Sequence, residues 1–181
     1  MKYDEPRFKK GIPTLYKGIN FRSRLEARCA RLLDEMKLKR EYESKAFVLE
    51  NGKELWPDFF LPELNTWVET KGMITESDIE DFIDFSEEFG YEEVGAETGV
   101  VLLSNDEAVF LHGNFVFNDG TGAPDLEKLS LGKCSECGSY FFAGEEGSYH
   151  CRKCKAHNGC HDMVKREVGG LKDLINIIRG N

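Results

Sequence analysis

No stretch of this chain approaches the run of about 18 apolar residues that a membrane-spanning helix requires. The first ten residues are charged and lack the apolar centre of a secretion signal. Both absences point to a soluble, cytoplasmic protein with no membrane partner. Internal repeats and low-complexity tracts are also missing, which excludes solenoid and tail-like architectures. With 40% hydrophobic residues in 181, the chain suits one compact domain carrying a small satellite module.

Basic side chains are nearly absent from the middle of the chain. Residues 72–130 hold 1 Lys or Arg against 15 Asp or Glu, whereas residues 1–40 carry a net charge of +7. The overall balance of −9 therefore hides two basic ends around an acidic centre. That asymmetry permits a local phosphate-binding face while a distant acidic surface limits indiscriminate binding. The alternative is that the acidic stretch only confers solubility.

Six cysteines without an export signal suit metal ligands or buried thiols better than disulfides. Cys134-Ser135-Glu136-Cys137 and Cys151-Arg152-Lys153-Cys154 are two C-x2-C knuckles. Each turn presents two thiolates, and together they supply the four that tetrahedral Zn²⁺ takes. The pattern resembles a zinc ribbon, reinforced by Gly138-Ser139-Tyr140-Phe141-Phe142 after the first knuckle. A fully thiolate-bound zinc leaves no open position, so its expected role is structural. His150, His157, Cys160 and His161 are further candidate ligands, read more simply as polar surface or a buried thiol. Cys29 reads as a small apolar residue on a helix stripe.

The pattern along the chain predicts a helix over 23–37, opened by a Ser23/Glu26 capping box. Short strands follow at 39–42, 46–49 and 55–61, with an Asn51-Gly52 turn, and then a strand at 66–71. An amphipathic helix is expected over 76–89, a strand buried on both faces at 100–103, a pairing strand at 108–111 and a short closing helix over 171–179. Residues 113–124, rich in Gly, Asn and Asp, read as a loop. The fold class is thus α/β with a mixed sheet, divided into a core over 1–115, a linker over 116–130 and the cysteine module with its helix over 131–181.

Trp56-Pro57-Asp58 and Glu69-Thr70-Lys71 carry the candidate chemistry. Alternation along a strand places Glu69 and Lys71 on one side. If the strand leading from Asp58 lies alongside, two carboxylates approach and repel unless a cation separates them. Oxygen donors of this kind suit Mg²⁺ or Mn²⁺ with phosphate and water completing the shell. Metal-assisted phosphodiester hydrolysis follows as the implied chemistry, with Lys71 orienting water or stabilising charge on phosphorus. The Thr70 carbonyl is a further candidate ligand, and Glu26 can reach the same cleft from its helix. Taken singly, Glu26 is equally well a capping-box acid, Asp58 a solvated strand-edge acid, and Glu69 and Lys71 a surface ion pair.

Arg22-Ser23-Arg24-Leu25-Glu26, Glu41-Tyr42-Glu43, Pro57-Asp58-Phe59-Phe60-Leu61-Pro62 and Trp67-Val68-Glu69-Thr70-Lys71-Gly72 together resemble the PD-(D/E)xK nuclease superfamily, in particular phage junction-resolving and mobile-element endonucleases. The likeness spans about residues 20–75. It implies a restriction-endonuclease-like core, Mg²⁺ held by Glu26, Asp58 and Glu69, a catalytic Lys71, and cleavage of DNA, with branched structures as preferred substrates. Dimers are common in that family. Many members carry basic residues on the helix after the Glu-x-Lys strand; here residues 76–89 have none. Either the basic leader and first helix take over DNA contact or the substrate differs, and a catalytically silent binding module acting on host machinery is the alternative function.

Overall fold

A computed structural model describes residues 11–89, 99–112, 126–144, 151, 153–154 and 164–180. The expected loop at 113–124, the leader at 1–10 and the extra ligand candidates His150, His157, Cys160 and His161 lie outside them. Among the described residues no helix is long and apolar enough to cross a membrane.

The chain opens with a hairpin absent from the sequence reading. Strands β1 (Thr14–Tyr16) and β2 (Ile19–Phe21) turn through Lys17 and Gly18, whose φ angles of 47° and 81° give the primed turn that matches strand twist. Helix α1 (Arg24–Glu35) follows, capped by Ser23, whose Oγ accepts from the Glu26 N–H at 3.1 Å. Its buried stripe comprises Ala27, Cys29, Ala30, Leu32 and Leu33 together with Glu26. Burial pushes the Cys29 thiol well above its ordinary value, in keeping with an inert apolar role.

Next come β3 (Glu41–Tyr42), β4 (Phe47–Val48), β5 (Glu54–Leu55), β6 (Phe59–Leu61) and β7 (Thr66–Thr70). The expected continuous strand over 55–61 is two strands serving different sheets. The β4–β5 pair is a separate hairpin turning at Asn51-Gly52, and Pro57-Asp58 falls in the break before β6. Helix α2 (Glu76–Phe89) crosses to β8 (Gly99–Leu103), which pairs with β9 (Ala108–His112). Then follow β10 (Leu126–Lys128), β11 (Ser130–Lys133), β12 (Tyr140–Ala143), β13 (Val164–Glu167) and α3 (Leu171–Arg179).

The central sheet has six strands in the order β10-β9-β8-β7-β6-β3, antiparallel except for the parallel β7–β8 pair that α2 connects. Part of the segment expected as linker, Leu126–Lys128, is thus its edge strand. Alternation sends Val68, Val101 and Leu103 to one face and Trp67, Val100 and Leu102 to the other, so both faces are covered. The first face packs on α1 and Phe21; the second packs on Phe82 and Phe85 of α2 and on Phe47 and Leu55 of the β4–β5 hairpin.

The cysteine-bearing part is built on a second, three-stranded sheet, β12-β11-β13. Its Leu131, Phe141 and Phe142 share a cluster with Leu32, Leu33 and Phe59, and α3 adds Leu171 and Leu174. Covalent neighbourhood alone would not produce that continuity. Leu171 and Lys172 donate their backbone N–H groups to the carbonyls of Ser104 and Asn105 at 2.8 and 3.1 Å, so the β8–β9 turn satisfies otherwise unpaired donors at the α3 N-terminus. Gly170 makes this docking possible. Its φ is 145°, and a Cβ there would stand 2.6 Å from the Glu107 nitrogen and 2.7 Å from the Asp106 carbonyl carbon. Gly170→Ala is accordingly expected to lower unfolding free energy by about 2 kcal/mol or more in urea melts. Gly72→Ala, whose Cβ meets nothing within 4 Å, is expected to stay within about 0.5 kcal/mol of the parent.

Candidate functional site

Asp58, at the entry to β6, and the Glu69-Thr70-Lys71 segment at the end of β7 come together because β6 and β7 pair antiparallel, with Phe59 opposite Val68. The Asp58 N–H donates to Glu69 Oε2 at 3.1 Å. In return, Thr70 donates its N–H at 2.8 Å and its hydroxyl at 2.6 Å to Asp58 Oδ2. Lys71 Nζ lies 3.0 Å from Glu69 Oε1 and 3.1 Å from Asp78 Oδ1 on α2. These contacts fix both carboxylates without relying on solvent: Asp58 and Glu69 are only 2% and 9% exposed.

Such burial has an electrostatic consequence. Desolvation raises the pKa of Asp58, and Glu26 adds to the rise against the opposing bonds from Thr70 and the charge of Arg22. Glu69 is likewise raised by burial and by Asp58, with Lys71 opposing. Lys71 itself loses hydration, which alone would lower its pKa, yet Glu69 and Asp78 hold it above the ordinary value. Asp58 faces Arg22 and Glu69 faces Lys71, and the two carboxylates are hard-oxygen donors of the type that a divalent cation such as Mg²⁺ takes.

Glu26 reaches this centre through an intermediary. Its Oε2 accepts from the Tyr42 hydroxyl at 2.7 Å and from the Arg22 N–H at 3.1 Å. The capping box is therefore half formed: Ser23 caps the helix, but the Glu26 carboxylate serves Arg22 and Tyr42 instead of returning to Ser23. The Arg22 guanidinium stands between the acids, with Nη2 at 2.9 Å from Asp58 Oδ1, and Nε at 2.6 Å from Glu43 Oε1 and 3.9 Å from Glu26 Oε2. Burial disfavours its charge, but Asp58, Glu43 and Glu26 together raise its pKa above the ordinary arginine value. Glu26, Asp58 and Glu69 do not close into a single ion-holding group around one point, and the guanidinium lies between Glu26, Glu43 and Asp58.

Sequence reasoning assigned roles to Glu26, Asp58, Glu69, Thr70 and Lys71, and missed those of Arg22, Tyr42, Glu43 and Asp78. The Arg22/Glu26 spacing of four residues was the available signal for the first. Nothing local announces Glu43, which adopts a left-handed backbone with φ 44°. Beside the acids opens a cleft of about 540 Å³, lined by Ser23, Arg24, Glu26, Arg28, Thr70 and Gly72 among others. Arg24 and Arg28 thus present two cations on the exposed side of α1, next to the carboxylates.

Among the described residues, the group of acidic, histidine or cysteine side chains close enough to hold an ion as it stands is Cys134, Cys137, Cys151 and Cys154, with all four Sγ atoms within 4.8 Å of one another. Cys134 and Cys154 are 3.7 Å apart, and Cys137 and Cys151 3.5 Å. A zinc ion about 2.3 Å from each thiolate of a tetrahedron would set sulfurs about 3.8 Å apart, consistent with these distances. The first knuckle is shaped by the Cys134 carbonyl, which accepts from the Gly138 N–H at 2.9 Å, with Gly138 at φ 68°. Lys153 ties the second knuckle to the central domain through Glu63 at 3.5 Å.

Comparisons with known proteins give no match to this chain, whether among family models, curated proteins or solved structures.

Two predictions follow from these geometries. The native Asp58/Glu69 pair binds protons more tightly than the unfolded chain does. Its contribution to stability is therefore complete below the ordinary carboxylate range near pH 4 and is lost as pH rises toward the native-state value, about 7 for Glu69. In metal-free buffer, the stability difference between the parent and Asp58→Asn/Glu69→Gln should move in favour of the variant over that window, measured by urea melts at fixed pH steps. Separately, Cys134→Ser should lose bound zinc, assayed by elemental analysis, and should lower a single cooperative melting transition, since the module and α1 share one apolar cluster.

Proposed function

We propose that this protein is a metal-dependent endodeoxyribonuclease, a phosphodiester hydrolase whose core is restriction-endonuclease-like and is followed by a zinc ribbon. The observation that carries the reading is the joint placement of Asp58, Glu69 and Lys71 on adjoining strand ends, with the Glu26 helix alongside. The mixed sheet flanked by helices supports the α/β part of the reading. The tetracysteine group and its three-stranded sheet support the ribbon.

Each side chain then has a task. Asp58, Glu69 and Glu26 would hold Mg²⁺ or Mn²⁺, with the Thr70 carbonyl as a further donor. When bound, the ion supplies Lewis-acid polarisation of the scissile phosphate and eases deprotonation of the attacking water. Lys71, positioned by both Glu69 and Asp78, orients that water and stabilises negative charge developing on phosphorus. Arg24 and Arg28 in the neighbouring cleft contact backbone phosphates, the sequence-independent part of nucleic-acid affinity. A branched substrate suits a recognition surface that is local and confined to one helix face. Of the α2 acids, Asp78 serves Lys71, whereas Asp81 and Glu88 are directed elsewhere: Lys53 pairs with Asp81, and the Glu50 N–H donates to Glu88.

One observation favours a second reading. The Arg22 guanidinium pairs internally with Asp58 and Glu43 and lies near Glu26, as expected of a silent scaffold that binds without cutting. Cleavage assays on branched, duplex and single-stranded DNA, with RNA counterparts, separate the two. With Mg²⁺ or Mn²⁺ the nuclease reading expects cutting, abolished by EDTA and reduced at least about 100-fold in Asp58→Ala and Lys71→Ala. Binding without cleavage on every substrate and with either ion would establish the silent module instead.

A further inference from the structure

Arg22 has an unusual position for a residue whose side chain is 57% exposed. Its head group nevertheless meets the acidic centre. Three carboxylates surround that head: Glu26 from α1, Glu43 from the end of β3, and Asp58 from the entry to β6. Nearby are also the Tyr42 hydroxyl, which accepts from the Arg22 backbone N–H at 3.3 Å, and Asp58 Oδ2, held separately by Thr70. Part of the cage is held by contacts other than those to Arg22: Thr70 fixes Asp58, Tyr42 fixes Glu26, and the backbone of the left-handed Glu43 is anchored by its N–H to the Asp58 carbonyl at 2.9 Å.

We infer that Arg22 is an exchangeable internal cation. It occupies the acidic centre in the metal-free protein and is displaced toward solvent when a divalent ion binds there. The inference rests on the nuclease reading and deepens it by giving the site a resident competitor. Geometry argues for exchange: Thr70 already holds Asp58 Oδ2 through two hydrogen bonds, so a divalent ion on Asp58 needs Oδ1, the oxygen that the guanidinium occupies at 2.9 Å, and the half-exposed arginine is the partner able to leave. Because the competing cation is tethered, metal affinity is reduced by the fraction of molecules whose Arg22 is seated. Once released, the guanidinium swings from the Ser23 end of α1, where Arg24 and Arg28 already line the cleft, and becomes available to a phosphate.

The test is Mn²⁺ binding by the zinc-loaded full chain, followed by electron paramagnetic resonance of the free ion and by thermal shift. Arg22→Gln should bind Mn²⁺ about tenfold or more tightly than the parent, and Arg22→Lys, which lacks the two-pronged head, should fall between them. In each background, Asp58→Asn should remove this site. Equal or weaker binding by Arg22→Gln, with unchanged zinc content and circular dichroism, would overturn the exchange while leaving the nuclease reading intact. If Arg22→Gln does not fold, the same criterion applies to Arg22→Lys. Absence of any Asp58-dependent Mn²⁺ binding in all three chains would overturn both the exchange and the metal site on which it depends.

Discussion

Like charge held out of water is the constraint around which the central part of this protein is arranged. Asp58 and Glu69 occupy adjoining strand ends, both nearly inaccessible, and the attraction that would ordinarily relieve them in water is absent. The chain offsets this with directed bonds: two from Thr70 to Asp58, one from the Asp58 backbone to Glu69, and the ammonium of Lys71 against Glu69. Each depends on the antiparallel register of β6 with β7 and on α2 bringing Asp78 to Lys71. Slipping that register by one residue would turn every side chain of β7 to the opposite face and dismantle the arrangement. The register is in turn enforced by burial, since Trp67 and Val68 belong to different apolar clusters on the two sides of the sheet.

Much of this was legible in the residue pattern, for identifiable reasons. Helix α2 announced itself through the spacing of Ile79, Phe82, Ile83 and Phe89, and α3 through the Gly169-Gly170 break before an apolar stripe; both occupy the expected residues. Val100–Leu103 read as a strand buried on both faces because it contains no polar position, and every residue of β8 is buried. The β1–β2 hairpin escaped because Lys17-Gly18 lacks the Asn-Gly or Asp-Gly signature, although Lys17 adopts the same positive φ. The break between β5 and β6 escaped because Leu55 and Phe59 are both buried, but against different clusters, a distinction that a one-dimensional pattern does not carry.

The same limit governed the site. Asp58, Glu69 and Lys71 were recognisable since strand alternation and a short sequence separation already constrain them. Glu26 was recognisable as an acid on a helix, but its partners were not. Arg22 lies four residues before it, but Tyr42, 16 residues away, meets it only through tertiary packing, where the Phe21, Tyr42 and Phe59 rings meet edge-on or tilted at centroid distances of 4.6 to 6.0 Å. This aromatic group positions polar atoms by burying apolar ones: Phe21 and Phe59 are fully enclosed, and the Tyr42 hydroxyl at the edge reaches Glu26.

Net charge alone does not describe the surface around the cleft, and the fold explains why. The acids of α2 that made the central segment so negative are partly engaged by Lys53, Lys71 and Asn51, on the side of the sheet that carries the β4–β5 hairpin. Arg24, Arg28 and Arg31 lie on the exposed face of α1, which covers the opposite side of the sheet. Arg24, Arg28 and Glu26 line the α1 cleft and none of the α2 acids does, so the charge nearest that cleft differs from what the total of −9 suggests.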